Sequence, residues 1–226
     1  MAEILPLFPL SHVLLPGMPL PLRIFEQRYR DLLADIATTP NGPAFGVVAL
    51  HTGIEARSRQ IVEDGVPDIE MVGTTAEILE IETDEDGTSE LLAIGTRRFR
   101  ILQILSEGKA YLRAEVEYLD EPDGALTWQQ ETRARELMDV YDAMLIKLAG
   151  RDTGADLPKD ANQLSYQLAA RVPLPPEERQ ELLTDDTTAE RLVRISRLLR
   201  REIALLQGTR SIAVSPNVLR MMTGIN

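Results

Sequence analysis

Two histidines, His12 and His51, and no cysteine are all that this sequence offers as soft metal ligands or as acid–base groups titrating near neutral pH. Ser11 precedes His12 in a strand-like context, where neighbouring side chains point to opposite faces, so the two do not make a nucleophile and its base. The phosphate-cradling string Gly-x-x-x-x-Gly-Lys-Ser/Thr is missing, as are Gly-x-Gly-x-x-Gly and the nucleophile elbow Gly-x-Ser-x-Gly. Carboxylates are plentiful, but no spacing among them selects an acid–base pair. Asp84, Glu85 and Asp86 invite a calcium reading, yet they lack the ligand alternation and distal glutamate of an EF-hand loop and read better as a solvated hairpin tip. Arg194, Arg197 and Arg201 form a basic strip at helical spacing. Its expected role is a solvated face, with Glu190 pairing to Arg194 at i, i+4. The chemistry expected is therefore none: no catalytic residue, no metal, no cofactor, not an enzyme.

Composition narrows the partners. A formal charge of −12 repels phosphate backbones, which disfavours nucleic acid as a ligand. The absence of cysteine rules out disulfides and points to a reducing, cytoplasmic setting. The apolar first twenty residues are interrupted by Pro6, Pro9, Pro16 and Pro19, and no basic residue precedes them, so neither a signal peptide nor a membrane span is expected.

The elements that would position any binding site follow from periodicity. Ile4 to Leu10 reads as an extended strand that its prolines keep at a sheet edge or at a strand start, and Leu15-Pro16-Gly17-Met18-Pro19 as a turn. Phe25, Tyr29, Leu32, Leu33 and Ile36 share one helical face, with the helix ending near Thr38. Phe45–Leu50 is expected as a buried strand, 52–68 as a long loop, and Met71–Glu82, Leu91–Ile94 and Phe99–Ile104 as further strands around a hairpin tip at Asp86-Gly87. Leu112, Ala114, Val116 and Tyr118 alternate with Arg113, Glu115 and Glu117 as a strand wet on one face. After the linker Asp120–Gly124 the period changes from 2 to 3.6. Leu137, Tyr141, Met144, Leu145 and Leu148 stripe one helix, Leu164, Leu168 and Val172 a second, and Glu177–Leu183 a short third. The last helix starts with Thr187 and Glu190 at capping-box spacing and buries Leu192, Ile195, Leu199 and Leu206. The fold class expected is α+β, with a β-rich unit over 1–121 that carries one helix and a helical bundle over 122–226.

Leu5-Pro6-Leu7-Phe8-Pro9, then Leu15-Pro16-Gly17, then Leu22-Arg23-Ile24-Phe25-Glu26-Gln27-Arg28-Tyr29 is similar to the start of the Lon protease N-terminal domain. Phe45-Gly46-Val47, Val72-Gly73-Thr74, Gly95-Thr96-Arg97-Arg98-Phe99-Arg100-Ile101, Pro173-Leu174-Pro175 and Gln180-Glu181-Leu182-Leu183 continue the resemblance in order, from about Ile4 to Leu206. It implies a PUA-like β-barrel followed by a helical subdomain, a unit that in Lon proteases helps recognise unfolded or damaged protein. A Lon protease continues into an ATPase and a serine–lysine peptidase, for which 226 residues leave no room. Pro158-Lys159-Asp160 is similar to the approach to the peptidase serine, but Ala161 and Asn162 follow, and it reads as coincidence.

The expectation is thus a stand-alone module that binds unfolded or client polypeptides, with a protease or chaperone as a further partner and its oligomeric state open. The alternative is an RNA-binding PUA-like protein, against which stand the acidic balance and the lack of aromatics interleaved with basic residues. Most motif residues have structural readings. Gly17 and Gly46 permit turns or close approach, Phe25 and Tyr29 fill core, and Glu26, Arg28 and Arg98 make ion pairs within the domain. The candidate substrate-binding residues are Met18 and Leu20, adaptable apolar side chains on the proline-rich loop.

Overall fold

A computed structural model describes residues 3–38, 44–51, 68–105, 108–150 and 156–209, so most of the expected loop at 52–68 lies outside the described residues. The chain divides into two compact units, Met1–Asp120 and Glu121–Asn226.

The first unit contains β1 (Glu3–Leu10), β2 (Pro19–Ile24), α1 (Gln27–Ile36), β3 (Ala44–Ala49), β4 (Val72–Thr83), β5 (Ser89–Leu105) and β6 (Arg113–Tyr118). The strand order is β2-β5-β4-β3-β1-β6, and β5 pairs with β6 as well. That extra pairing closes β5, β4, β3, β1 and β6 into a ring, the closure that a small barrel requires. All its pairings are antiparallel except β1 with β3, where Leu7 faces Gly46 in register. The resemblance implied a barrel, and periodicity alone implied only strands.

Two apolar clusters explain why β1 and β3 read as apolar runs without alternation. Leu5, Leu7 and Val48 join Phe99, Ile101, Ala114 and Val116 in one cluster, while Phe8, Phe45 and Val47 join Tyr29, Leu32 and Ile36 of α1 in the other. Beyond the exposed Glu3 and Ile4 at the start of β1, residues of both parities on these strands pack into one cluster or the other, so both parities must be apolar. Phe8 stacks on Tyr29 with ring centroids 4.0 Å apart and tilts against Phe45 at 5.8 Å, which fixes α1 to the sheet. Gly46 is needed where the two strands close on the barrel interior: a Cβ there would lie 2.7 Å from Phe99 and 2.8 Å from both Leu5 and Leu7.

Two expectations in this unit are corrected. Leu91–Ile94 and Phe99–Ile104 are one continuous strand, because Gly95, buried against the Leu14–Leu15 segment, carries the chain between them. Phe25 does not fill core; it is 65% exposed. The helix begins only at Gln27, with Glu26 still extended, so Phe25 obeys the two-residue period and points away from buried Ile24.

The second unit contains α2 (Trp128–Ala149), α3 (Ala161–Arg171), α4 (Pro176–Thr184) and α5 (Thr188–Thr209). The other three helices pack on α5, whose Leu192, Ile195, Leu199 and Leu206 are all buried as their spacing requires. The anticipated capping box is present: the Glu190 carboxylate accepts from Thr187 N–H at 3.1 Å and Thr187 Oγ1 accepts from Glu190 N–H at 3.2 Å. Asp160, in the string similar to a peptidase approach, is the N-cap of α3 and accepts from Gln163 N–H at 2.8 Å. Among the described residues, no helix is long and apolar enough to cross a membrane.

Candidate functional site

Among the described residues β3 pairs with β4 as far as Glu77, and β4 and β5 run on together to Thr83 and Ser89, flanked on the far side of β5 by β2. These three strands form an arm extending from the ring. Its tip is closed by Asp84 N–H donating to Thr88 O at 2.8 Å and Gly87 N–H to Asp84 O at 2.9 Å. Asp86 is used inside the turn. Its Oδ1 accepts from Thr88 N–H at 2.8 Å, and that bond, with help from the Thr88 hydroxyl, holds its carboxyl below the ordinary aspartate range. Arg30 of α1 reaches the same turn and donates to Asp86 O at 3.4 Å. The acidic triplet is therefore organised as a hairpin turn, not as a loop wrapped around a cation.

The arm carries exposed apolar side chains, and Ile4, Met71 and Leu102 are exposed elsewhere in the unit. The arm's register shifts between Ile78 and Glu80, leaving Leu79 as the extra residue of a β-bulge and 57% exposed. Ile81 is 48% exposed, and Phe25 follows directly from β2. Seven acidic side chains and no basic one occur from Val72 to Thr96, so this apolar surface sits in a strongly negative field.

Of the residues singled out from sequence, Leu20 lies in β2 opposite Ala93 and is 2% exposed. The proline-rich turn ends one residue earlier than expected, and strand alternation turns Leu20 inward to the α1 cluster. Met18 is half-buried against the same cluster. The structure thus does not bring Met18 and Leu20 together on an open surface. Gly17 turns the chain at φ +79°, Glu26 pairs with Arg28 at 2.8 Å, and buried Arg98 donates to Asp120 O at 3.2 Å.

The histidines are held structurally. His51 places Nδ1 2.9 Å from Asp68 and Nε2 3.2 Å from Glu70, tying the end of β3 to the chain entering β4. Both ring nitrogens are thereby occupied. His12 sits half-buried in the bend after β1.

In the helical unit the basic strip is tied down differently from expectation. Arg194 bonds Asp185 through Nε and Nη2 at 2.8 and 2.7 Å and Glu181 through Nη1 at 2.6 Å, not Glu190, whose carboxylate caps α5. Arg201 clasps Glu178 and Glu202. Arg191, which the sequence reading did not single out, is fully buried and donates to Glu121 at 2.8 Å, Asn162 at 2.6 Å and Ser165 at 3.1 Å, with its guanidinium over the Tyr166 ring.

Residues 4–201 match the family described as the ATP-dependent protease La (LON) substrate-binding domain. The chain belongs to this family. The Lon protease of Escherichia coli strain K12 is 29% identical over 209 residues, which is 90% of this chain and 25% of that protein. Lon protease 2 of Syntrophobacter fumaroxidans is likewise 29% identical, over 212 residues. The chain thus spans about a quarter of the length of the curated Lon relatives it matches. Among solved structures, the Lon N-terminal domain protein from Xanthomonas campestris is 31% identical with a TM-score of 0.61, covering 88% of this chain and 98% of its own. The N-terminal domain of Mycobacterium avium complex Lon protease, at 19% identity and a TM-score of 0.58, shares the fold. The family match falls on the substrate-binding domain of Lon, and the fold is that of Lon N-terminal domains.

Proposed function

We propose that the chain is a non-catalytic module that binds exposed apolar segments of other polypeptides and serves as an adaptor or substrate-recognition factor. Membership in the Lon substrate-binding domain family carries this reading, and the arm offers exposed apolar side chains to such a partner, Phe25 on one face and Ile81 on the other, with Leu79 at the bulge. Apolar side chains left open at the end of a well-packed sheet suit a partner that brings apolar side chains of its own. Met18 contributes its exposed half at the base of β2, and Leu20 belongs to the cluster on which Met18 packs. The acidity of the arm weighs against RNA, because a nucleic-acid surface must neutralise phosphates.

The test is titration of the purified chain with a permanently unfolded, carboxymethylated protein, followed by fluorescence anisotropy. Saturable binding without nucleotide and with the unfolded protein intact after hours is the expected result. Absence of binding, or cleavage of the unfolded protein, would overturn the proposal.

A further inference from the structure

Register gives the arm two unlike faces. On one, Leu20, Ile24, Leu91 and Ala93 point into the α1 cluster. On the other, side chains form rows running from β2 across β5 to β4: Pro19, Ile94 and Glu77, then Pro21, Leu92 and Glu80, then Arg23, Glu90 and Glu82. Leu92 and Ile94 are half-buried and belong to neither apolar cluster, and Phe25 continues the β2 border, 65% exposed. This second face is therefore divided lengthwise, apolar toward β2 and acidic along β4.

The carboxylates are unequally compensated. Glu77 lines one cavity together with Arg97 and Arg113, and Arg23 stands in the row of Glu90. Glu80 and Glu82 are exposed, and among the described residues no ion pair holds them. Beyond them the tip adds Asp84, Glu85 and Asp86, the last within the fields of Arg30 and Arg23. Residues 39–43, which precede β3, carry no charge and so do not offset this border.

Three strands make a face about 10 Å across, the width of one α-helix, and Ile78–Thr83 runs for about 20 Å, the length of about four helical turns. A helix with a basic flank beside an apolar stripe fits both the dimensions and the division of this face. Its stripe covers Leu92, Ile94 and Phe25 while its lysines or arginines reach Glu80 and Glu82. A second copy of the face would press its carboxylates against apolar side chains or against each other, and either is unfavourable. Acidic or phosphorylated segments would meet like charge.

Resting on the polypeptide-binding function above, we infer that this face of β2, β5 and β4 selects segments that form a basic amphipathic helix. Apolar contact supplies the binding, and Glu80 and Glu82 supply the selection.

The experiment measures anisotropy of fluorescein-labelled peptides, each about four helical turns long, with the intact chain. One segregates lysine and leucine on opposite sides of a helix, one has glutamate in place of lysine, and one keeps the lysine–leucine composition in an order that removes the segregation. The segregated lysine peptide should bind at least tenfold more tightly than either other. Glu80→Gln with Glu82→Gln should remove that preference, whereas Glu136→Gln with Asp139→Asn, equal in charge and on the exposed side of α2, should leave it intact. Equal binding of the lysine and glutamate peptides, indifference to segregation, or equal loss in the α2 variant would overturn the inference. If unfolded carboxymethylated protein still bound in that case, the broader polypeptide-binding function would survive without it. If neither peptides nor unfolded protein bound, both would fall.

Discussion

Arg191 is the residue on which the helical unit depends most visibly. Its buried charge is matched by Glu121, whose carboxylate also accepts from Tyr166, and this anchors the start of the unit to α3 and α5. Replacing one partner of a buried pair leaves the other without compensation, at a cost of about 3–5 kcal/mol. Arg191→Met should lower the urea midpoint of this unit accordingly, as followed by far-ultraviolet circular dichroism. Tyr141 and Tyr111 offer a second check. Desolvation, reinforced for Tyr111 by its bond to Asp35 and for Tyr141 by the charges of Glu202 and Asp142, pushes both phenols up to about 12. Because the folded values are raised, their contribution to stability is full below the ordinary tyrosine value and is lost as pH rises through about 12. Ultraviolet titration at the phenolate band should therefore show Tyr111 and Tyr141 among the tyrosines that ionise late or only on unfolding, with Tyr29 and Tyr118 also raised by burial. At this scale the sequence was least informative. Arg191 reads like any arginine at helical spacing, and its burial depends on Glu121, seventy positions away.

Periodicity identified most elements because most have only one way to bury their apolar face. Tyr29, Leu32 and Ile36 on α1, and the four core residues of α5, lie where their spacing puts them. It misled where the period changes within a motif. Phe25 fits the helical spacing of Tyr29 but belongs to the extended backbone before the helix. Leu79 is exposed because a bulge inserts one residue, and no local pattern announces a bulge. The arm was therefore hidden, although the strands and the turn composing it were legible. Leu20 was misplaced for a similar reason: prolines suggested a loop where an edge strand runs. Gly46→Ala should cost about 1–3 kcal/mol through overpacking against Phe99, Leu5 and Leu7, measured by the denaturation midpoint of the first unit. Thr187→Ala should remove half of the α5 capping box and cost about 1 kcal/mol.

For the whole molecule, the order of a β-rich unit and then a helical unit was plain from the change of period, while closure of the ring depended on the β5–β6 pairing that no local pattern encodes. The proposed function rests on the exposed end of that architecture. Among the described residues, the barrel interior and helix contacts bury most apolar side chains of the first unit, and Phe25, Leu79 and Ile81 on the arm are exposed, as are Ile4, Met71 and Leu102 elsewhere. The central claim is that this surface captures apolar polypeptide. Its most direct test is the affinity of the intact chain for a labelled unfolded protein, compared among wild type, a variant with Phe25→Asp and Leu79→Asp, and a control with Val140→Asp on the exposed face of α2. The arm variant should bind at least tenfold more weakly with an unchanged circular dichroism spectrum, and the control should match wild type. Undiminished binding by the arm variant, or equal loss in the control, would contradict the account.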